Sequence, residues 1–328
     1  MHHLSRPTFS FSIPSIHDGR QLECHVYLPR HLENIESTAP NNIQGAIFAH
    51  PYAPLGGSYD DPVVSFIGGE LQNAGFVVGT FNFRGAGGSE GQTSWTGKPE
   101  LGDYTSFYGF MLHYLHALKS TQGSRVEGDR DRGIDLILGG YSYGSMIASH
   151  APTLDVMIDL FKPGPGVGTT VSPDTPIDRI GREARKIAAA TIPGYVAARP
   201  QGRDDEGFHA STLISYLLVS PLLFPVSSFL TVFTTLSVNV GDRSAQARPA
   251  RPADQLSVHR TLALFGDDDT FTSVGKLRRW SAELGRMPHS QFRGCEIENA
   301  GHFWREDGVE QEAREILREW LRGYAFDE

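Results

Sequence analysis

The strongest constraint on the fold of this chain is a series of short, mostly apolar runs separated by segments with helical spacing. Ala46-Ile47-Phe48-Ala49, Phe76 to Phe81, Asp135-Leu136-Ile137-Leu138, Ile214 to Val219, Leu262-Ala263-Leu264-Phe265 and Cys295 to Glu298 are the runs. Strands that read apolar along their length are covered on both faces, as in a parallel sheet. Helical patterns between them predict an α/β fold with helices on both sides. Ahead of them, Phe9 to Ile13 and Leu22 to Leu28 flank His17-Asp18-Gly19-Arg20 and predict an antiparallel hairpin. Helices are predicted from about Pro62 to Asn73, around Tyr104 to Leu118, from just after Ser142 to about Leu160, and from Val309 to about Leu321.

With 328 residues the chain fits a single α/β domain carrying an insertion. The pattern breaks over 161–208, a stretch opened by Lys162-Pro163-Gly164-Pro165-Gly166. Only Ile177 to Ala190 keeps helical spacing there, with basic residues on one face. The stretch is too short for a core of its own and is expected to be a lid-like insertion over the strand ends. From Ala210 to Gly241 no residue is charged, a length that could cross a bilayer. Pro221, Pro225 and many Ser and Thr residues oppose that reading, and Ile214 to Val219 reads as buried strand, so no transmembrane span is expected. Phe224 to Leu236 reads either as core helix or as an apolar surface beside a ligand site.

Lys and Arg number 29 against 38 Asp and Glu, a net charge of −9, which argues against a nucleic-acid platform. Two cysteines, Cys24 and Cys295, make neither a disulfide framework nor a thiolate metal cage. No apolar run follows Met-His-His-Leu-Ser-Arg-Pro at the start, so a cytoplasmic location is expected. Gly85-Ala86-Gly87 begins a G-x-G pattern, but Glu90 occupies the third glycine position, against nucleotide binding. No His/Cys cluster has zinc spacing, and neither cofactor nor metal is expected.

The string G-x-S-x-G occurs twice, as Gly140-Tyr141-Ser142-Tyr143-Gly144 and as Gly87-Gly88-Ser89-Glu90-Gly91. A nucleophile elbow is a strained turn between a strand and a helix, with glycines where a Cβ would not fit. Ser142 follows the Leu136 strand and precedes a helical pattern, whereas Ser89 is followed by the loop-like Gln92 to Gly97. Ser142 is therefore read as the nucleophile and Ser89 as a chance match.

A serine hydroxyl needs a neighbouring base, and the base an acid that fixes its tautomer. In a strand–elbow–helix architecture the chain order is Ser, acid, His. Gly266-Asp267-Asp268-Asp269 follows one late strand and Gly301-His302-Phe303 another. Of the three aspartates Asp269 is preferred, because the first would leave the strand too early. Asp267 and Asp268 are expected to cap the next helix or to face solvent. His302 is read as the base. His50 also follows a strand but precedes the serine, and is read as shaping the loop. Acyl transfer further needs donors for an oxyanion. The Tyr143 N–H is one candidate, and the Tyr52 N–H the other, since Pro51 has no N–H.

These residues resemble the α/β-hydrolase superfamily, especially its compact esterase-like and dienelactone-hydrolase-like members. His50-Pro51, Gly56-Gly57, Phe81-Asn82-Phe83-Arg84-Gly85, Gly87-Gly88-Ser89, the Ser142 elbow, Gly266 to Asp269 and Gly301-His302 carry the resemblance, which spans nearly the whole chain outside about 161–208. It implies a triad of Ser142, Asp269 and His302 with Tyr52 and Tyr143 as oxyanion donors. Members often carry His-Gly where this chain has His50-Pro51. The expected activity is hydrolysis of a carboxylic ester or thioester of a small hydrophobic substrate. The alternatives are non-hydrolytic acyl transfer, cyclisation or C–C cleavage by the same triad, peptide cleavage, and a non-enzymatic interaction protein on the same fold.

Overall fold

In β3 (Ile43–Ala49), β5 (Ile134–Tyr141), β6 (Thr212–Val219) and β9 (Arg260–Asp268) nearly every side chain is buried. Alternate residues serve two different cores. Ile47, Leu136, Leu138, Tyr216, Leu218 and Ala263 face one side of the sheet. Phe48, Ile137, Leu217, Val219, Leu262 and Leu264 face the other. This is the physical reason that the runs read apolar without alternation.

The protein is described by a computed structural model covering residues 3–29, 42–122, 133–162, 174–191, 212–223, 238–240, 243–245 and 251–324. With β1 (Phe9–Pro14), β2 (Gln21–Tyr27), β4 (Val77–Phe81) and β10 (Phe292–Gly301), the strands form an eight-stranded sheet in the order β1-β2-β4-β3-β5-β6-β9-β10. The pairs from β4 to β10 are parallel. Strands β1 and β2 form the antiparallel hairpin that their turn predicts, and β2 pairs antiparallel with β4. A separate small hairpin pairs β7 (Val238–Val240) with β8 (Arg243–Ala245).

Helix α1 (Pro62–Asn73) starts where the Asp61 side chain accepts from the Val63 N–H at 2.8 Å, with Pro62 at the first position. It packs on one face of the sheet with α8 (Val309–Arg322). Buried Glu70 of α1 pairs there with Arg314 and Arg318 of α8. The opposite face carries α2 (Lys98–Gln122), α3 (Tyr143–Ser149), α4 (Leu154–Phe161), α5 (Pro176–Thr191) and α6 (Pro252–Val258). Helix α7 (Val274–Gly285) lies between β9 and β10 in the chain.

Three expectations are corrected. The helix expected from Ser142 to Leu160 is two helices, α3 and α4, because Pro152 lacks an N–H and disfavours helical backbone before it. The helix around Tyr104 begins six residues earlier, at Lys98. The strand expected to stop at Glu298 runs on to Gly301, past a register shift after Ile297. Within the stretch 161–208, only 161, 162 and 174–191 are described. Their helix α5 packs against α2 and the edge strand β1. The Phe224 to Leu236 stretch lies outside the described residues. No helix among the described residues is long and apolar enough to cross a membrane.

Candidate active site

The parallel strands end together along one edge of the sheet, and the loops that leave that edge bring the sequence-predicted residues into one place. Strand β5 delivers Ser142, β9 delivers Asp269 and β10 delivers His302. The loop after β3 supplies Tyr52. The chain reverses its direction of travel across the sheet between β3 and β5, and ligands of open α/β sheets bind at such a point.

Ser142 sits between β5 and α3 with φ 55° and ψ −113°, a backbone conformation that side-chain-bearing residues rarely hold. The two glycines of the motif have steric causes. A Cβ on Gly140 would run into Gly144, and a Cβ on Gly144 would run into the carbonyl oxygens of Ala49 and His50. The amide of Ser142 donates to Val219 O at 2.8 Å, which ties the elbow to β6. Ser89 shows none of this strain. Its hydroxyl donates to Asn82 O at 2.7 Å and accepts from the Glu23 N–H at 2.9 Å, so it fastens a loop to β2.

Asp269 follows the last residue of β9. Its Oδ1 accepts from the N–H groups of Phe271 at 2.8 Å and Thr272 at 2.9 Å. Its Oδ2 lies 2.7 Å from Nδ1 of His302. A carboxylate can only accept, so Nδ1 carries the proton and Nε2 faces Ser142 Oγ at 2.8 Å as an acceptor. Burial pushes the Asp269 pKa up, but the bonds from His302, Thr272 and Phe271 outweigh it and hold the group below the usual carboxylate value. Asp268 is exposed and Asp267 is half-buried. Neither caps α7, whose N-cap is Ser273.

All three residues are buried, and their surroundings hold them still. The register shift in β10 is accompanied by positive φ at Asn299. Gly266 has no Cβ where the Ala300 carbonyl crosses it, so the irregular backbone that leads to His302 fits against β9. The His302 ring is covered by the tilted Phe271 ring, with ring centres 4.2 Å apart. Its carbonyl accepts from the Tyr141 hydroxyl at 2.7 Å.

His50 is fully buried, as its reading as a loop-shaping residue requires. Its Nε2 accepts from the Phe83 N–H at 2.9 Å, so Nδ1 carries the proton and donates to Pro51 O at 2.6 Å. Burial lowers its pKa to about 4. The ring therefore fixes the Pro51 carbonyl, while Tyr52 O accepts from the N–H groups of Leu55 and Gly57. The Tyr52 and Tyr143 rings lie 5.2 Å apart. Among the described residues, no bond from the N–H of Tyr52 or Tyr143 to a loop, turn or cap acceptor is formed. Sequence reasoning missed Tyr141 and Phe271, although both lie within two residues of a predicted site residue. It also missed the buried pair of Arg84 and Asp103, 2.7 Å apart, which anchors the loop after β4. No group of three His, Cys, Asp or Glu residues suited to a metal ion occurs among the described residues.

Comparison with known proteins bears on the family and the fold. The chain matches the profile of the alpha/beta hydrolase family over residues 46–315. No curated protein matches it. An alpha-beta serine hydrolase homologue from Coxiella burnetii shares 19% identity at a TM-score of 0.51, with 96% of this chain and 98% of that one covered. A putative alpha/beta hydrolase of unknown function from Agrobacterium tumefaciens shares 16% at 0.50, with 97% and 96% covered. Est1E from Butyrivibrio proteoclasticus, solved with ferulic acid bound, shares 12% at 0.50, with 95% and 98% covered. At such identities the likeness is one of fold. With the family profile matched across most of its length, the chain belongs to the alpha/beta hydrolase family.

Proposed function

We propose that this protein is a serine hydrolase that cleaves a carboxylic ester or thioester of a small hydrophobic substrate through an acyl-enzyme on Ser142. The observation that carries the reading is the unbroken chain from Ser142 Oγ through His302 to Asp269, at 2.8 and 2.7 Å, on a strained elbow. Ser142 Oγ attacks the substrate carbonyl carbon as His302 Nε2 takes its proton. Asp269 holds the imidazole in the required tautomer and stabilises the imidazolium that forms. The N–H groups of Tyr143 and Tyr52 stabilise the oxyanion. The imidazolium then protonates the departing alcohol or thiol as its bond to the carbonyl carbon breaks. Water, deprotonated by His302, cleaves the acyl-enzyme and restores Ser142.

The test is labelling by a fluorophosphonate probe in the wild type, Ser142→Ala and Ser89→Ala. Labelling lost in Ser142→Ala and kept in Ser89→Ala supports the reading. An unlabelled wild type, folded by circular dichroism, refutes an activated serine.

A further inference from the structure

The catalytic histidine of the proposed mechanism is flanked by two phenylalanines that the mechanism does not use. Phe271 lies tilted over His302, centres 4.2 Å apart and planes 32° apart. Phe303 meets His302 edge-on at 5.5 Å and 87°. The two phenylalanines meet each other at 5.8 Å and 83°, so they form two walls of a corner. Packing in a core does not explain them, for Phe271 is 50% exposed and Phe303 49%. The Arg305 guanidinium stands over the Phe303 ring at 5.3 Å and braces it. Of the other exposed large apolar residues, Leu213 and Val258 lie at or before the amino ends of β6 and β9, and Leu55 and Trp95 lie in the loops after β3 and β4. None of the four has a ring contact with His302 among the described residues.

The position of this corner decides which half of a substrate it meets. During acylation His302 Nε2 returns its proton to the leaving oxygen or sulfur, so the leaving group lies against the histidine. The acyl group stays on Ser142. Rings that line the histidine therefore contact the departing alcohol or thiol. Exposed aromatic surface in a two-walled corner favours an aromatic ring, packed offset or edge-to-face.

We infer that Phe271 and Phe303 form a leaving-group subsite that selects esters of aromatic alcohols, or the corresponding thioesters, over esters whose aromatic ring lies on the acyl side. The inference rests on the proposed serine hydrolase reading and adds the substrate class to it.

The isomers benzyl acetate and methyl phenylacetate carry the same atoms with the ring on opposite sides of the ester. The quantity to measure is the ratio of kcat/KM for benzyl acetate to that for methyl phenylacetate. A general loss of catalysis cancels in this ratio. The wild type is expected to favour benzyl acetate by about tenfold, and Phe271→Ala and Phe303→Ala to reduce that ratio by about fivefold each. Phe271→Tyr, which keeps the ring, is expected to restore most of it. A wild-type ratio near or below one overturns the inference. So does a ratio that stays at the wild-type value in both alanine variants while kcat falls for both esters, since that marks Phe271 as a support for His302 only. A wild type that takes the fluorophosphonate label yet hydrolyses neither ester overturns the subsite alone. One that neither labels nor hydrolyses overturns the serine hydrolase reading along with it.

Discussion

The Tyr141 hydroxyl donates a 2.7 Å hydrogen bond to the backbone carbonyl of His302, so the residue just before Ser142 holds the residue that faces it. Strands β5 and β10 are separated in the sheet by β6 and β9, and the bond spans that gap above the strand ends. Burial raises the Tyr141 pKa well above its ordinary value, which keeps the hydroxyl a donor.

Removing that hydroxyl tests the brace. Tyr141→Phe leaves a buried carbonyl unpaired, which costs about 1–3 kcal/mol. It is expected to lower kcat by about tenfold with little change in KM, because the serine–histidine distance is set before substrate arrives. Urea unfolding and steady-state ester kinetics check both parts. Wild-type values in both would remove Tyr141 from the positioning role.

The three aspartates at the end of β9 separate by effect. Asp269→Asn is expected to lower kcat by roughly 10⁴-fold, since the amide cannot hold the histidine in the same tautomer. Asp268→Asn, at an exposed position, is expected to stay within about threefold of wild type. Comparable losses in the two variants would mean that the acid has been misassigned.

Acid is expected to destabilise the protein by charging histidines that the fold keeps neutral. His50 titrates at about 4 in the folded chain against an ordinary value of 6.5, so the unfolded chain binds the proton first as pH falls. Stability from the neutral ring is complete above pH 6.5 and drains away between 6.5 and 4, about 2 kcal/mol of it by pH 5. His113 at about 4 and His116 at about 3 shift the same way, through desolvation and then the nearby charges of Arg185 and Lys119. Asp269, lowered from 3.8, gives up its own contribution only below that pH. Urea unfolding at pH 7 and pH 5, together with an NMR titration of the His50 ring, measures this. A His50 ring already charged at pH 6 would contradict it.

Glycine substitutions distinguish a steric requirement from composition. Gly144→Ala drives a methyl group into the Ala49 and His50 carbonyls and is expected to cost about 1–3 kcal/mol, with loss of fluorophosphonate labelling. Gly275→Ala, in α7 with nothing within 4 Å of the new Cβ, is expected to stabilise by about 0.5–1 kcal/mol. Thermal unfolding of the two variants shows whether their effects have opposite sign.

Much of the architecture was legible because burial on both faces writes itself into a strand as continuous apolar residues. The Ile47, Leu136, Leu217 and Leu262 strands are legible that way, whereas the hairpin around Asp18 is legible from its turn residues. The break at Pro152 was written in the chain, but the helical spacing on either side masked it. Helix α6 is only seven residues long, Pro252–Val258, and went unread because so short a segment shows little periodicity.

The sequence by itself determined the strand–elbow–helix pattern at Ser142 and the order of serine, acid and histidine, because local backbone geometry and chain order are properties of the linear chain. It narrowed the acid to three adjacent aspartates, with a preference for Asp269. Tertiary structure alone decided which carboxylate meets the histidine. It also decided that His50 spends both ring nitrogens on backbone groups, that Tyr141 grips His302, and that Phe271 and Phe303 make a corner beside it. Most of these contacts join segments at the ends of different strands. Such contacts depend on where the sheet brings its strand ends, which no spacing along the chain encodes.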